Sequence, residues 1–382
     1  MSPALAARDR FEVPEDIIYL RGHAVGCLPR GAREAARRFF DQWATRGAAS
    51  WEEWLSTISG FLRALSRVLG VEPEELSPQV NLSSALTKLV GSLPRRPGRR
   101  RIVYGELDFP SARFVCEQTA ALGYQPSCVG GDNGALPLAA WDRQLTDDVA
   151  LAHVTDVASD DGRRLDVPGV LRLCREREIL AVVDIAQSAG VAPIDLRGWG
   201  AAFATGCCVK WLCGGPGASF LWVRRDVLPA LQPIDVGWFS HARTFELDSS
   251  PFEYAPDALR FWGGTPSVLP FAVATAGLEV IAALGPEGIR AHSLAATRRL
   301  RDAALEAGLA VRTPFEDHQR GGTIAIGFAD DEAAVRALGA HGVQVDRRRR
   351  GVRFSPHIYN TMEEIDTVGG LLADLARKGS VR

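Results

Sequence analysis

Two textures divide the chain. From Arg30 to Leu69 apolar side chains recur every three or four residues: Ala32, Ala35, Ala36, Phe39 and Phe40, then Trp51, Trp54, Leu55 and Ile58. That spacing lines one face of a helix and predicts helical structure across the stretch. From Arg101 onward short apolar runs take over, interleaved with amphipathic stretches. Ile102–Tyr104, Val149–Val154, Leu180–Asp184, Ala202–Thr205 and Ser219–Val223 read as strands. Ala112–Leu122 and Val167–Arg177 read as helices between them, the second opened by Pro168. Strands alternating with helices predict an α/β fold built on a mostly parallel, doubly wound sheet. In such sheets a ligand sits beyond the carboxyl ends of the strands.

A second region starts near Pro270. A helix is expected from Pro286 to Ala307, then short strands at Leu309–Arg312, Thr323–Phe328 and Val352–Ser355, and a closing helix at Met362–Lys378. These predict a small C-terminal α/β domain. Residues 1–20 show little periodicity and read as an extended lead-in. The expected division is an N-terminal segment at 1–45 packing with the small domain, a large domain at 46–269 and the small domain at 270–382. No internal repeat or low-complexity linker separates them.

Composition narrows the function. The 382 residues carry a net charge of −2, which gives no global pull toward nucleic acid or an anionic membrane. No apolar run reaches the roughly 18–20 residues of a membrane helix. Seven cysteines lie within the first 213 residues without metal-ligand spacing. With no leader pattern at the start, a reduced cytoplasm is the expected location. Histidine spacing offers no zinc site. The run Arg347–Arg350 is the one strong basic cluster, and it reads as a solvated turn between two strands.

The residues that carry chemistry come next. Asp184-Ile185-Ala186-Gln187 ends an apolar strand, and Lys210 follows 26 residues later, between another apolar run and Gly214-Gly215-Pro216-Gly217. Only three lysines occur, Lys88, Lys210 and Lys378. A lysine kept there, in a chain that otherwise uses arginine, points to function rather than surface charge. Pyridoxal chemistry needs this pair. A carboxylate keeps the pyridine nitrogen protonated, so that the ring absorbs electrons; an amine forms the Schiff base and then moves protons.

The segments Asp184–Gly190 and Lys210–Gly217 resemble class V pyridoxal-phosphate enzymes of the aspartate-aminotransferase fold (fold type I), and kynureninases most of all. Tyr19–Pro29, Val80-Asn81-Leu82, Phe109-Pro110-Ser111, Gly237-Trp238-Phe239, Gly264-Thr265-Pro266 and Val352–Asn360 extend the likeness along nearly the whole chain. The resemblance implies pyridoxal 5'-phosphate bound in the large domain as a Schiff base on Lys210. Asp184 would meet the pyridine nitrogen, Gln187 the phenolic oxygen and Phe109 the ring face. Gln79 would give its backbone N–H to the phosphate. Trp238 and Thr265 would reach the phosphate from a partner subunit, which implies a homodimer with shared sites. Arg353 would hold the α-carboxylate of an amino-acid substrate, and His357 would line its pocket.

Departures from the kynureninase pattern are chemically pointed. Ala112 stands where an aspartate is usual, Gln187 where a histidine is, Val209 where a tyrosine precedes the lysine, and His23-Ala24 where Asn-Ser is usual. They imply altered specificity. No cysteine follows Cys213, which argues against persulfide formation on a later loop, as in cysteine desulfurases. The reading is a lyase or hydrolase that breaks a Cβ–Cγ or Cβ–heteroatom bond. A class V aminotransferase or epimerase would use the same residues, and a pyridoxal-binding protein without turnover is the remaining alternative.

Overall fold

The computed structural model describes residues 7–131, 135–246 and 251–377. Its centre is a seven-stranded sheet in the order Leu76–Gln79, Ser219–Val223, Phe203–Cys207, Leu180–Asp184, Val149–Thr155, Arg101–Gly105 and Gln125–Val129. Ser219–Val223 runs antiparallel to both neighbours, and the other six strands share one direction. The sheet is therefore mixed, and mostly parallel as the alternating pattern predicts. Both faces are covered, so central strands are apolar on both sides. Val103, Ala152, Val154, Val183 and Ala204 enter one core, while Ile102, Leu151, Val182, Phe203 and Leu221 enter the other.

Two strands and two helices lack a periodic signal. Leu76–Gln79 and Gln125–Val129 are edge strands, each carrying a proline that an interior strand would reject. Leu82–Ser92 and Leu138–Gln144 are short helices recruited by packing. The helical tract from Arg30 is two helices, Arg30–Arg46 and Trp51–Leu69, broken where Gly47 takes φ +53°. Both pack on Leu269–Leu284, where the rings of Phe61 and Phe271 lie 4.8 Å apart.

A second sheet, wholly antiparallel, runs Ala310–Val311, Ile324–Gly327, Gly351–Phe354, Asp346–Arg348. Pro286–Glu306 and Met362–Arg377 cover it through Leu300, Val368 and Leu372. Lys378, the expected end of the last helix, lies outside the described residues. The lead-in segment ties the two parts together. Ile18–Tyr19 pairs with Val343–Gln344, and Arg21 bridges to Ser355.

Phe271 is 2% exposed at the junction of three helices. Phe271→Ala should lower stability by about 3–5 kcal/mol, the usual cost of an unfilled aromatic cavity. Urea unfolding reads this, and a loss under about 1 kcal/mol would show that the Leu269–Leu284 helix does not anchor the core.

Candidate active site

The carboxyl ends of the parallel strands converge on one edge, as the doubly wound topology requires. Asp184 closes its strand, 5% exposed, with Oδ1 accepting the Ala186 N–H at 2.9 Å. Burial pushes its carboxyl above the ordinary value, against the opposing charges of His153 and Lys210. In the next strand His153 is fully buried. Its Nδ1 lies 2.7 Å from Asp108 Oδ2, which also accepts the Gly105 N–H at 3.0 Å. Burial works against a charged ring there, but Asp108 and then Asp184 outweigh it and hold His153 above its ordinary value. Asp108 is the acid in direct contact with the ring. Asp184 is thus a buried carboxyl still lacking a close cationic partner.

Lys210 sits on the turn after Phe203–Cys207. That turn is gripped by close backbone packing. Gly26 donates its N–H to Val209 O at 2.8 Å, and a Cβ on Gly26 would stand 2.4 Å from Lys210 O. From the other side, a Cβ on Gly277 would stand 2.3 Å from Leu212 O. Cys213 takes φ +52°, a strained conformation for a side chain larger than glycine. Lys210 Nζ then lies 5.5 Å from the centroid of the Phe109 ring. Phe109 is placed by the helix Pro110–Gln118, whose first residue is a proline pre-set for that position.

A polar chain leads from the lysine turn into the second sheet. Trp211 Nε1 donates to Gln187 Oε1 at 3.0 Å, and Gln187 Nε2 donates to His23 O at 3.2 Å. His23 Nε2 lies 3.1 Å from Asp346 Oδ2, and Nδ1 lies 2.7 Å from Ser355 Oγ. Burial lowers the His23 pKa to about 4, so the ring is neutral. A carboxylate only accepts, so Nε2 carries the proton and Ser355 donates to Nδ1. Arg353 donates to Asp346 twice, from Nε at 2.9 Å and Nη2 at 2.7 Å, and its Nη1 donates to Ser159 O at 2.6 Å. Partial burial works the other way, but hydrogen bonds from His23 and Arg353 hold the Asp346 carboxyl well below the usual range.

Buried polar atoms without partners mark where a ligand fits. Among the described residues these include Asp108 Oδ1, His153 Nε2, Thr155 Oγ1 and Thr205 Oγ1. Thr155 and Thr205 flank Asp184 in register on the two adjacent strands. Native interiors rarely leave such a group of atoms unsatisfied, so the strand ends suit a polar ligand with a cationic centre for Asp184. A pyridoxal ring, with Lys210 and Phe109 beside it, meets that description.

The remaining expected residues are dispersed. The Gln79 side chain is turned inward, donating to Ser77 Oγ and Phe261 O at 3.0 Å each. It precedes the helix Leu82–Ser92, capped by Asn81. Trp238 Nε1 donates to Thr265 Oγ1 at 3.3 Å, within an aromatic cluster that includes Trp51, Phe239 and Phe245. His357 does not line an open pocket. It is fully buried, with Nε2 2.9 Å from Trp211 O, and serves to brace the lysine turn. The basic run is also only partly a turn: Arg347 and Arg348 are strand residues, and Arg349 and Arg350 form the bend. Asp108, His153 and Asp346 carry no motif, because their roles come from neighbours far away in sequence. A histidine inside the apolar run Val149–Val154 is the one signal that could have marked His153.

Two neutral buried histidines make the fold acid-sensitive. Burial lowers His23 and His357 to about 4, from an ordinary value of 6.5. The unfolded chain takes up these protons first, so the contribution is complete above pH 6.5 and is lost as pH falls toward 4. Between pH 7 and pH 5 each ring should remove on the order of 2 kcal/mol. His23→Gln and His357→Gln should each flatten the dependence of urea midpoint on pH. Identical slopes in wild type and both variants would dismiss the assignment.

Comparison with known proteins identifies the family and the fold. Residues 83–368 match the aminotransferase class-V family. A kynureninase of Deinococcus radiodurans is 32% identical over 91% of this chain and 86% of its own length. An uncharacterized aminotransferase of Bacillus subtilis, YcbU, is 29% identical over 94% of each chain. Among solved structures, a cysteine desulfurase from Thermococcus onnurineus superposes with a TM-score of 0.85 over 98% of both chains, at 19% identity. The cystine C–S lyase C-DES, in complex with cysteine persulfide, gives 0.85 over 94% of this chain and 98% of its own, also at 19%. At that identity the two structures speak for the fold alone. The chain belongs to the class-V aminotransferase family and is a pyridoxal-phosphate-dependent enzyme of fold type I.

Proposed function

We propose that this enzyme is a lyase or hydrolase that breaks a Cβ–Cγ or Cβ–heteroatom bond of an α-amino acid. One observation carries the reading: Asp184, Lys210 and Phe109 meet at the carboxyl edge of the sheet, beside buried polar atoms that lack partners. The coenzyme, when bound, supplies an electron sink for negative charge developed at Cα. The protein does the rest. Asp184 holds a proton on the ring nitrogen, and its apolar surroundings strengthen that pairing. Lys210 Nζ is the amine that ties the coenzyme, and it then carries the proton to and from Cα. Phe109 offers an aromatic face to the ring. Gln187 has one amide hydrogen left for the phenolic oxygen after its bond to His23.

Arg353 is assigned the α-carboxylate. Asp346 takes Nε and Nη2 of its guanidinium and Ser159 O takes one hydrogen of Nη1, which leaves one hydrogen on each terminal nitrogen for a substrate carboxylate. The phosphate is assigned to the backbone N–H of Gln79 and the helix start that follows it. Trp238 and Thr265 of a second copy complete that end of the site. A homodimer is supported by the exposed aromatic surface around Trp238, where Trp43 is 57% and Phe245 61% exposed. Seven free cysteines support a reducing cytoplasm.

Kynureninases at about 30% identity over most of the chain favour Cβ–Cγ cleavage. Val209 and Ala112 lack the tyrosine and aspartate expected for that activity, so C–S β-elimination stands beside it. The likeness to YcbU supports a second reading, transamination.

Pyridoxal-loaded protein mixed with L-kynurenine and 3-hydroxykynurenine should develop anthranilate-type fluorescence if it is a hydrolase of this kind. Silence from folded, yellow protein moves the assay to cysteine conjugates. Stoichiometric keto acid, with the yellow colour lost until an acceptor is added, would establish transamination and remove the lyase reading. Lys210→Ala should abolish the colour and all turnover while the fold survives; a variant that stays yellow would overturn the central assignment. Arg353→Ala should keep the colour and weaken substrate binding by roughly 2–4 kcal/mol, the scale of a lost charge pair. Unchanged binding in that variant would dismiss the carboxylate role.

A further inference from the structure

The basic run at the hairpin tip contains one arginine unlike the rest. Arg347 pairs with Glu332, Arg349 lies 3.5 Å from Asp160, and Arg350 lies 3.5 Å from Asp161. Arg348 has no such partner: among the described residues no ion pair or hydrogen bond engages it. Its guanidinium carbon stands instead 5.5 Å from the centroid of the Phe109 ring, the same distance as Lys210 Nζ. Strand alternation explains the difference. Arg348 shares a face with Asp346, two residues before it, while Arg347 points to the opposite side.

The electrostatics of the site make this arginine matter. The charge of Arg353 is balanced by Asp346, which takes two of its donors. Arg348 brings a charge that forms no ion pair with any carboxylate among the described residues. A guanidinium lying against an aromatic face keeps its in-plane N–H groups free, and those groups match a carboxylate or sulfinate bidentately. Arg348 and Arg353 also come from paired strands, with Arg348 opposite Gly351, two residues before Arg353. The two arginines are therefore carried on adjacent strands, near the same end of the small sheet.

We propose that Arg348 is a specificity-determining residue that binds an anionic group on the substrate side chain. The substrate class is then an α-amino acid whose side chain carries a second acidic function, such as a carboxylate or a sulfinate. The inference rests on Lys210 marking the amino-acid site, and it deepens the proposed function by naming what the far end of the substrate carries. Phe109 is the shelf that holds the arginine in place.

The test uses two unreactive probes, succinate with two carboxylates and butyrate with one. Each is titrated into the pyridoxal-loaded wild type, Arg348→Gln and Arg348→Lys, with dissociation constants read by calorimetry and by the change in coenzyme absorbance. Wild type should prefer succinate by about tenfold or more, a contact-sized difference. Arg348→Gln should erase that preference with butyrate affinity nearly unchanged, and Arg348→Lys should keep part of it. Equal weakening of both probes would overturn the proposal by making Arg348 the α-carboxylate ligand. No weakening of either would overturn it by reducing Arg348 to a packing contact on Phe109. A yellow Lys210→Ala variant would sink the reading of the site itself, an outcome separate from either of these.

Discussion

The turn that carries Lys210 is held by backbone contact on two sides, and the site depends on it. Gly26 and Gly277 come from segments far apart in the chain, and each approaches the turn at a distance no Cβ tolerates. Between them the chain is forced through positive φ at Cys213. A flexible lysine on a loose loop would sample many positions and pay side-chain entropy at each encounter with a ligand. Here the strand before it, the helix beside it and the N-terminal segment across it fix where Nζ starts. His357 braces the same turn through Trp211 O, which ties the C-terminal motif to the lysine without touching a ligand.

Charge is arranged around that fixed point in two separate groups. On the large-sheet side, Asp108 engages only Nδ1 of His153, and Asp184 is a buried acid in need of a cation. On the small-sheet side, neutral His23 and cationic Arg353 both converge on Asp346. Gln187 connects the two, bonded to Trp211 at one end and to the His23 carbonyl at the other. A buried charge left unpaired is expensive, so each group must be completed locally or by a ligand. Four of the unpartnered atoms, Asp108 Oδ1, His153 Nε2, Thr155 Oγ1 and Thr205 Oγ1, lie on the large-sheet side, and the Arg348 guanidinium reaches the Phe109 ring from the small sheet.

Much of this was legible in the chain, for reasons that differ by element. The strands Leu180–Asp184 and Ser219–Val223 have the bounds their apolar runs predict, because buried strands must be apolar on both faces. Edge strands such as Gln125–Val129 escape because one side meets solvent and the pattern fades. Asp184 and Lys210 stand out because chemistry demands those residue types at strand ends. Phe109 gains its meaning only from the lysine beside it.

By itself, then, the sequence determined the α/β class, the two-part organisation of the apolar pattern, and the acid–lysine pair to which the coenzyme is assigned in the proposed function. These are local properties, set by periodicity, turn residues and the scarcity of lysine. Tertiary structure decided which polar groups meet. It buried His153 against Asp108, turned His357 from a pocket residue into a brace, closed Asp346 onto Arg353, and singled out Arg348 from three identical neighbours. Such pairings join residues 7, 45 and 146 positions apart, or turn on which face of one strand a side chain takes. Composition and spacing along a single chain carry no record of that choice.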